Sequence, residues 1–226
     1  MSLMTIDQAL DLTDRLFAQT VEWAGYTDAE IKQASDALGV SLPLELRQLY
    51  AHQGRCDVHR AHLKIRHPSK IELDGAFAVF YDDPASGASW AVSVADDARP
   101  CPVYCRIDGA WYEIEFSSVG EFLLFACVWQ ACEGAMPFSA TVIDGVGREW
   151  AEHEVAKVVA SCDDLGIVKV VVGEPGTLWV GRGVFLLHES FGRFSTGTTL
   201  LGAFERVLAA LPDVVWDFVS TRDGFP

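Results

Sequence analysis

Cys56, His59, His62 and His67 have the side-chain chemistry of zinc ligands, and Cys101 and Cys105 are spaced like a redox pair. Neither pattern carries through. The four candidate ligands are separated by two, two and four residues, which is not an established structural-zinc spacing. The stretch from Arg60 to Lys70 is basic and loop-like, so its histidines are expected to be solvated and no metal or other cofactor is expected. Four residues of strand hold Cys101 and Cys105 about 13 Å apart, beyond disulfide reach. Cys127 and Cys132 lie five apart on a predicted helix and point to different sides. Together with Cys56 and Cys162, all six thiols read as reduced core fillers. Gly192 and Gly197 have the glycine spacing of a phosphate loop, but the lysine that reaches the phosphates is missing. Ser195-Thr196-Gly197-Thr198-Thr199 therefore reads as a turn and a helix cap. The acid pairs Asp82-Asp83, Asp96-Asp97 and Asp163-Asp164 occupy turn-like contexts, with no histidine or nucleophile fixed beside them. No catalytic residue is expected and the chain does not read as an enzyme, a small hydrolase or metal-binding enzyme using the histidine cluster or an acid pair being the weaker alternative.

The elements that position these residues begin with helices. Thr5-Ile6-Asp7-Gln8 and Thr27-Asp28-Ala29-Glu30 are capping boxes, each opening an apolar stripe: Ile6, Leu10, Leu16 and Phe17, then Ile31, Ala34 and Leu38 up to Gly39. A third helix is expected from Pro43 to Gly54. Alternation then replaces the helical period, in Ala76–Tyr81 and again in Ser89–Val94, on either side of Asp82-Asp83-Pro84. Within Pro102–Phe116, Asp108-Gly109 demands a two-residue type I′ turn. That turn pairs Ile107 with Ala110, Cys105 with Tyr112, Val103 with Ile114 and Cys101 with Phe116 on one buried face. Arg106 with Trp111 and Tyr104 with Glu113 share the other. A helix follows over Val119–Glu133, then strands at Ile167–Val172 and Leu178–Leu187, and a last helix at Thr199–Leu211. Clustered strands flanked by helices make the class α+β with a central, mainly antiparallel sheet.

The chain has 226 residues, 50% hydrophobic and 22% charged, which suits a packed core that needs no disulfide or metal. Lys plus Arg is 17 and Asp plus Glu is 32, so the net charge is −15. A surface of that sign repels the phosphate backbone and attracts basic proteins, so a protein partner is expected and direct nucleic-acid binding is not. No run of about 18 apolar residues would span a membrane, and the N-terminus lacks a basic leader or apolar signal core. A cytoplasmic location is expected.

Three segments together resemble the SUKH superfamily, the Smi/Knr-type domain. Leu38-Gly39-Val40-Ser41-Leu42-Pro43-Leu44-Glu45-Leu46-Arg47-Gln48-Leu49-Tyr50, with Gln53-Gly54 after it, is similar to the family's helix–Leu-Pro–helix opening. Phe80-Tyr81-Asp82-Asp83 and Trp90-Ala91-Val92 resemble its strand ending in an aromatic, acidic turn. Cys101-Pro102-Val103-Tyr104, Asp108-Gly109-Ala110-Trp111 and Ser118-Val119-Gly120-Glu121-Phe122-Leu123-Leu124 are similar to its Pro-Val-Tyr strand, hairpin and Ser-x-x-x-Phe-Leu helix. Gln53-Gly54 replaces the family's frequent Asn-Gly, and Cys56–Lys70 has no counterpart. The resemblance implies a single domain over residues 1–226, best matched over 27–131, with 132–226 as a strand and helix extension. It implies no cofactor and no catalytic residue. It also implies a binding role, either as an immunity protein that neutralises a polymorphic toxin such as a nuclease, or as a regulatory module unrelated to toxins.

The expected partner surface is the outer face and rim of the hairpin: Tyr104, Arg106, Trp111, Glu113 and Glu115, with Asp82, Asp83 and Asp108 adding charge at the sheet's end. Aromatic and arginine side chains ringed by acids are typical of interface hot spots.

Overall fold

Both predicted capping boxes form. Thr5 and Thr27 each accept a hydrogen bond from the backbone N–H three residues on, and the Gln8 and Glu30 side chains accept from the cap N–H in return. They open helices α1 (Ile6–Phe17) and α2 (Asp28–Leu38), and α2 ends at Gly39 in the left-handed conformation (φ 70°) that favours glycine. Helix α3 (Leu44–Gln53) starts after Pro43. The computed structural model describes residues 4–18, 21–95, 100–143, 152–172, 176–189 and 193–221, and of residues 113–115, 143, 152, 153, 171 and 172 the backbone alone.

The chain divides into two compact units, residues 1–126 and 127–226. In the first, strands β1 (Lys64–Ile65), β2 (Glu72–Asp74), β3 (Phe77–Asp82), β4 (Ser89–Ser93), β5 (Val103–Ile107) and β6 (Ala110–Phe116) make one antiparallel sheet. Its order is β1-β3-β4-β5-β6, with β2 also pairing with β3. Helix α4 (Val119–Gln130) contributes Phe122, whose ring lies 5.1–5.7 Å from those of Phe80, Tyr81, Trp90 and Phe116. A register shift in β3 between Val79 and Tyr81 brings both Phe80 and Tyr81 against Phe122. Helix α4 is apolar around its whole circumference and correspondingly buried.

Residues 127–226 hold more strands than a strand-and-helix extension. A π turn at Ala131–Ala135 leads into β7 (Phe138–Ile143), helix α5 (Glu152–Ser161), β8 (Val168–Val172), β9 (Gly176–Gly181), β10 (Val184–Glu189), β11 (Arg193–Thr198), helix α6 (Leu201–Ala210) and β12 (Phe218–Thr221). These six strands form a second antiparallel sheet, ordered β12-β7-β11-β10-β9-β8. Val155, Val158, Ala203 and Val207 of α5 and α6 pack with Val184, Leu186 and Phe194 of β10 and β11. The protein is thus α+β with antiparallel sheets. Ser195-Thr196-Gly197-Thr198 is not a turn: it is the buried length of β11. A Cβ at Gly197 would lie 2.2 Å from the Ala131 carbonyl oxygen, so the glycine serves close passage beneath the π turn.

All six cysteines are free and buried, as expected of core thiols. Cys56 accepts a 3.0 Å hydrogen bond from the Ala24 N–H, and burial pushes its thiol pKa up. The zinc-like cluster is dispersed, and among the described residues no group of three or more His, Cys, Asp or Glu could hold a metal ion. His59 corrects the expectation of solvated loop histidines. It is fully buried in a 3-10 turn (Asp57–Arg60), with Nδ1 3.0 Å from the Tyr81 hydroxyl and Nε2 3.3 Å from Gln53 Oε1. His67 instead accepts from the Ser69 N–H at 3.2 Å. No described helix is long and apolar enough to cross a membrane.

Candidate functional site

The hairpin forms on the expected turn. Asp108 and Gly109 both take positive φ, 52° and 81°, as a type I′ turn requires. Ile107 pairs with Ala110, Arg106 with Trp111 and Cys105 with Tyr112, also as expected. Beyond that point the register shifts by two residues, and Val103 pairs with Phe116 rather than Ile114. The supposedly buried face is also open at its tip, with Ile107 44% and Tyr112 54% exposed. Ile107 runs past the start of β4, where Ser89 lies opposite Arg106, and Tyr112 sits on the edge strand β6, beyond which no described strand lies in the sheet.

On the outer face, a cluster forms around Phe77. The Trp111 ring stacks on it at 4.9 Å between centroids, and Tyr104 tilts against it at 4.9 Å. Arg106 lies 5.2 Å from the Trp111 ring centre. Asp74 joins the two: its Oδ2 accepts from Arg106 Nη1 at 2.8 Å and from Trp111 Nε1 at 2.9 Å. Strand β4 faces this side with Ser89, Ala91 and Ser93, which are small enough for long side chains from both flanks to meet above them. Phe77, Tyr104, Arg106 and Trp111 are all half-buried. The cluster is therefore held in one arrangement while its ring edges and the guanidinium still reach solvent.

The acidic candidates behave differently from one another. Asp82 is a structural ion-pair partner: Arg66 donates to it through Nε at 2.6 Å and Nη2 at 2.9 Å, and the Ser89 hydroxyl donates at 2.8 Å. It links three strand segments and offers little free charge. Asp83 shapes its own turn, accepting from the Ala85 N–H at 2.9 Å and the Ser86 hydroxyl at 2.6 Å. Asp108 is exposed at the hairpin tip. The register places Asp82, Ser89, Arg106 and Trp111 in one row, so these acids do share an end of the sheet. Glu113 and Glu115 belong to β6, but their side chains lie outside the described residues, as does the Asp96-Asp97 pair.

Two members of the cluster, Asp74 and Phe77, were not read from the sequence. Asp74 pairs with Phe77 across Gly75-Ala76, and Gly75 has φ 61°. The Asp74-Gly75 dipeptide was the available signal for that hairpin. Set beside known proteins, the chain matches no family model, no curated protein and no solved structure.

Proposed function

We propose that this protein is a non-catalytic, cytoplasmic binding module whose outer sheet face and hairpin tip take a basic protein partner, in the manner of an immunity protein that neutralises a toxin domain. The observation that carries the reading is the Phe77–Tyr104–Trp111 cluster, pre-ordered by Asp74 on the outer face of the hairpin, whose tip carries the exposed Asp108. Half-exposed aromatic and arginine side chains concentrate binding energy, and ordering them beforehand lowers the entropy cost of association. The net charge of −15 favours a basic partner and speeds encounter with it. The resemblance to the SUKH superfamily supplies the toxin class, and a nuclease, which must present a basic surface to phosphates, fits it.

Binding to the product of the neighbouring gene, measured by calorimetry, tests this directly. Trp111→Ala should weaken binding by about 2 kcal/mol, roughly thirtyfold, with the fold retained. Asp83→Lys should mainly slow association at low salt. If Trp111→Ala leaves the affinity per folded molecule unchanged, this face is not the partner site. A bound partner with no toxic activity would favour the regulatory-module reading instead.

A further inference from the structure

Arg193, at the start of β11, meets two glutamates. Its Nη2 is paired with Glu133 Oε1 of the π turn, and its Nε stands 3.5 Å from Glu189 Oε2 at the end of β10. The two acids are not equivalent. Glu133 Oε1 also accepts from the Ser195 hydroxyl at 3.3 Å and the Thr141 hydroxyl at 3.4 Å. Arg193 and the Ser195 hydroxyl can donate to that oxygen together, while the single Thr141 hydrogen is shared between it and Ser195 Oγ, 3.1 Å away. Glu189 is only 1% exposed, and among the described residues its Oε2 has no hydrogen-bond partner. A single guanidinium already committed to Glu133 cannot also neutralise a second buried carboxylate, and a buried charge without a partner is costly.

We infer that these residues form a proton-operated latch in the second unit, with Glu133 the ion-pair partner of Arg193 and Glu189 holding a proton that it releases when the unit opens. Burial pushes the Glu189 pKa up to about 7; Arg193 pulls the other way and the Glu133 charge adds to the rise. The groups around the pair fit this balance. Cys132, on the same turn as Glu133, stays a thiol because burial, then the two glutamates, push its pKa well up. The Trp129 ring lies 5.9 Å from the Arg193 guanidinium carbon, β7 presents the neutral hydroxyls of Ser139 and Thr141, and β9 opposes Glu189 with Gly176. His188, next on β10, belongs to the opposite face with Leu186 and Val184. The closed cluster is therefore neutral with one proton bound, and loss of that proton leaves two carboxylates on one arginine.

The sign of the pH effect follows. An unfolded glutamate titrates near 4.5, so between there and about 7 the closed unit holds the extra proton. Its contribution to stability is complete below 4.5 and is lost as pH rises through 7. Glu189→Gln keeps the neutral head and removes the proton. The opening equilibrium of β10 and β11 in the full chain, followed by hydrogen exchange corrected for intrinsic rates, should be compared between wild type and this variant. From pH 5 to pH 7 opening of the wild type should increase about fortyfold relative to Glu189→Gln, and change little further above pH 8. The pH dependence of His188 is common to both chains and cancels. Carbon-13 titration of glutamate carboxyls in the unmodified chain provides a second reading that does not depend on the variant folding. One carboxyl should titrate near 7. If all titrate in the ordinary range, or if the two chains share one pH profile, the latch does not exist.

Discussion

The tautomer of His59 can be read from its neighbours. The Thr13 hydroxyl donates to the Leu10 carbonyl at 3.0 Å, and Gln53 Nε2 donates to Thr13 Oγ1 at 2.7 Å. Gln53 therefore presents its oxygen to His59, so Nε2 carries the hydrogen and Nδ1 accepts from Tyr81. One file of side chains thus ties α1, α3 and the 3-10 turn to β3. A proton on this imidazole would force the Tyr81 hydroxyl to turn from donor to acceptor inside the core, and burial, then Arg60, lower its pKa to about 3. Replacing His59 by Phe should cost about 2–3 kcal/mol in urea unfolding, because it removes the donor to Gln53 and the acceptor for Tyr81.

At the scale of elements, α4 shows packing overruling propensity. Gly120 lies in its first turn, where Ala would favour the helix by about 1 kcal/mol. A Cβ there, however, would come within 2.6 Å of the Thr5 carbonyl oxygen, at the N-cap of α1. The Ser118 hydroxyl fastens the same junction by donating to the Met4 carbonyl at 2.6 Å. Backbone cannot retreat as a flexible side chain can, so Gly120→Ala should destabilise the first unit by about 2 kcal/mol rather than stabilise it. An unchanged or raised melting temperature for that variant would contradict the close approach.

Across the whole molecule, the two units should respond differently to acid. His59 has its folded pKa near 3 and its unfolded value near 6.5, so its contribution is complete above 6.5 and is lost as pH falls toward 3. From pH 7 to pH 5 this removes about 2 kcal/mol from the first unit. In the second unit Glu189 has the opposite sign and gains stability over the same fall. His188, whose pKa burial lowers, offsets part of that gain. Hydrogen exchange resolved by peptide at pH 5 and pH 7 should show acid loosening confined to the first unit, and His59→Phe should abolish it. Equal acid sensitivity in both units would rule out this division.

The capping boxes, the Asp108-Gly109 hairpin with its first three pairings, and the α+β class were all legible in the sequence, because each signal acts between residues a few positions apart. Tertiary structure decided the rest. Nothing local distinguishes His59 from a loop histidine; it is buried because Gln53 and Tyr81 arrive from a helix and a strand. Ser195-Thr196-Gly197-Thr198 has a turn's composition and becomes a strand because β7 and β10 pair with it on both sides. Trp111 and Arg106 were visible as an outward pair, but Asp74, 37 residues from Trp111 in the chain, orders them only once β2 folds beside β3. Burial and charge pairing depend on which segments lie alongside each other, and that adjacency is settled by packing over the whole unit.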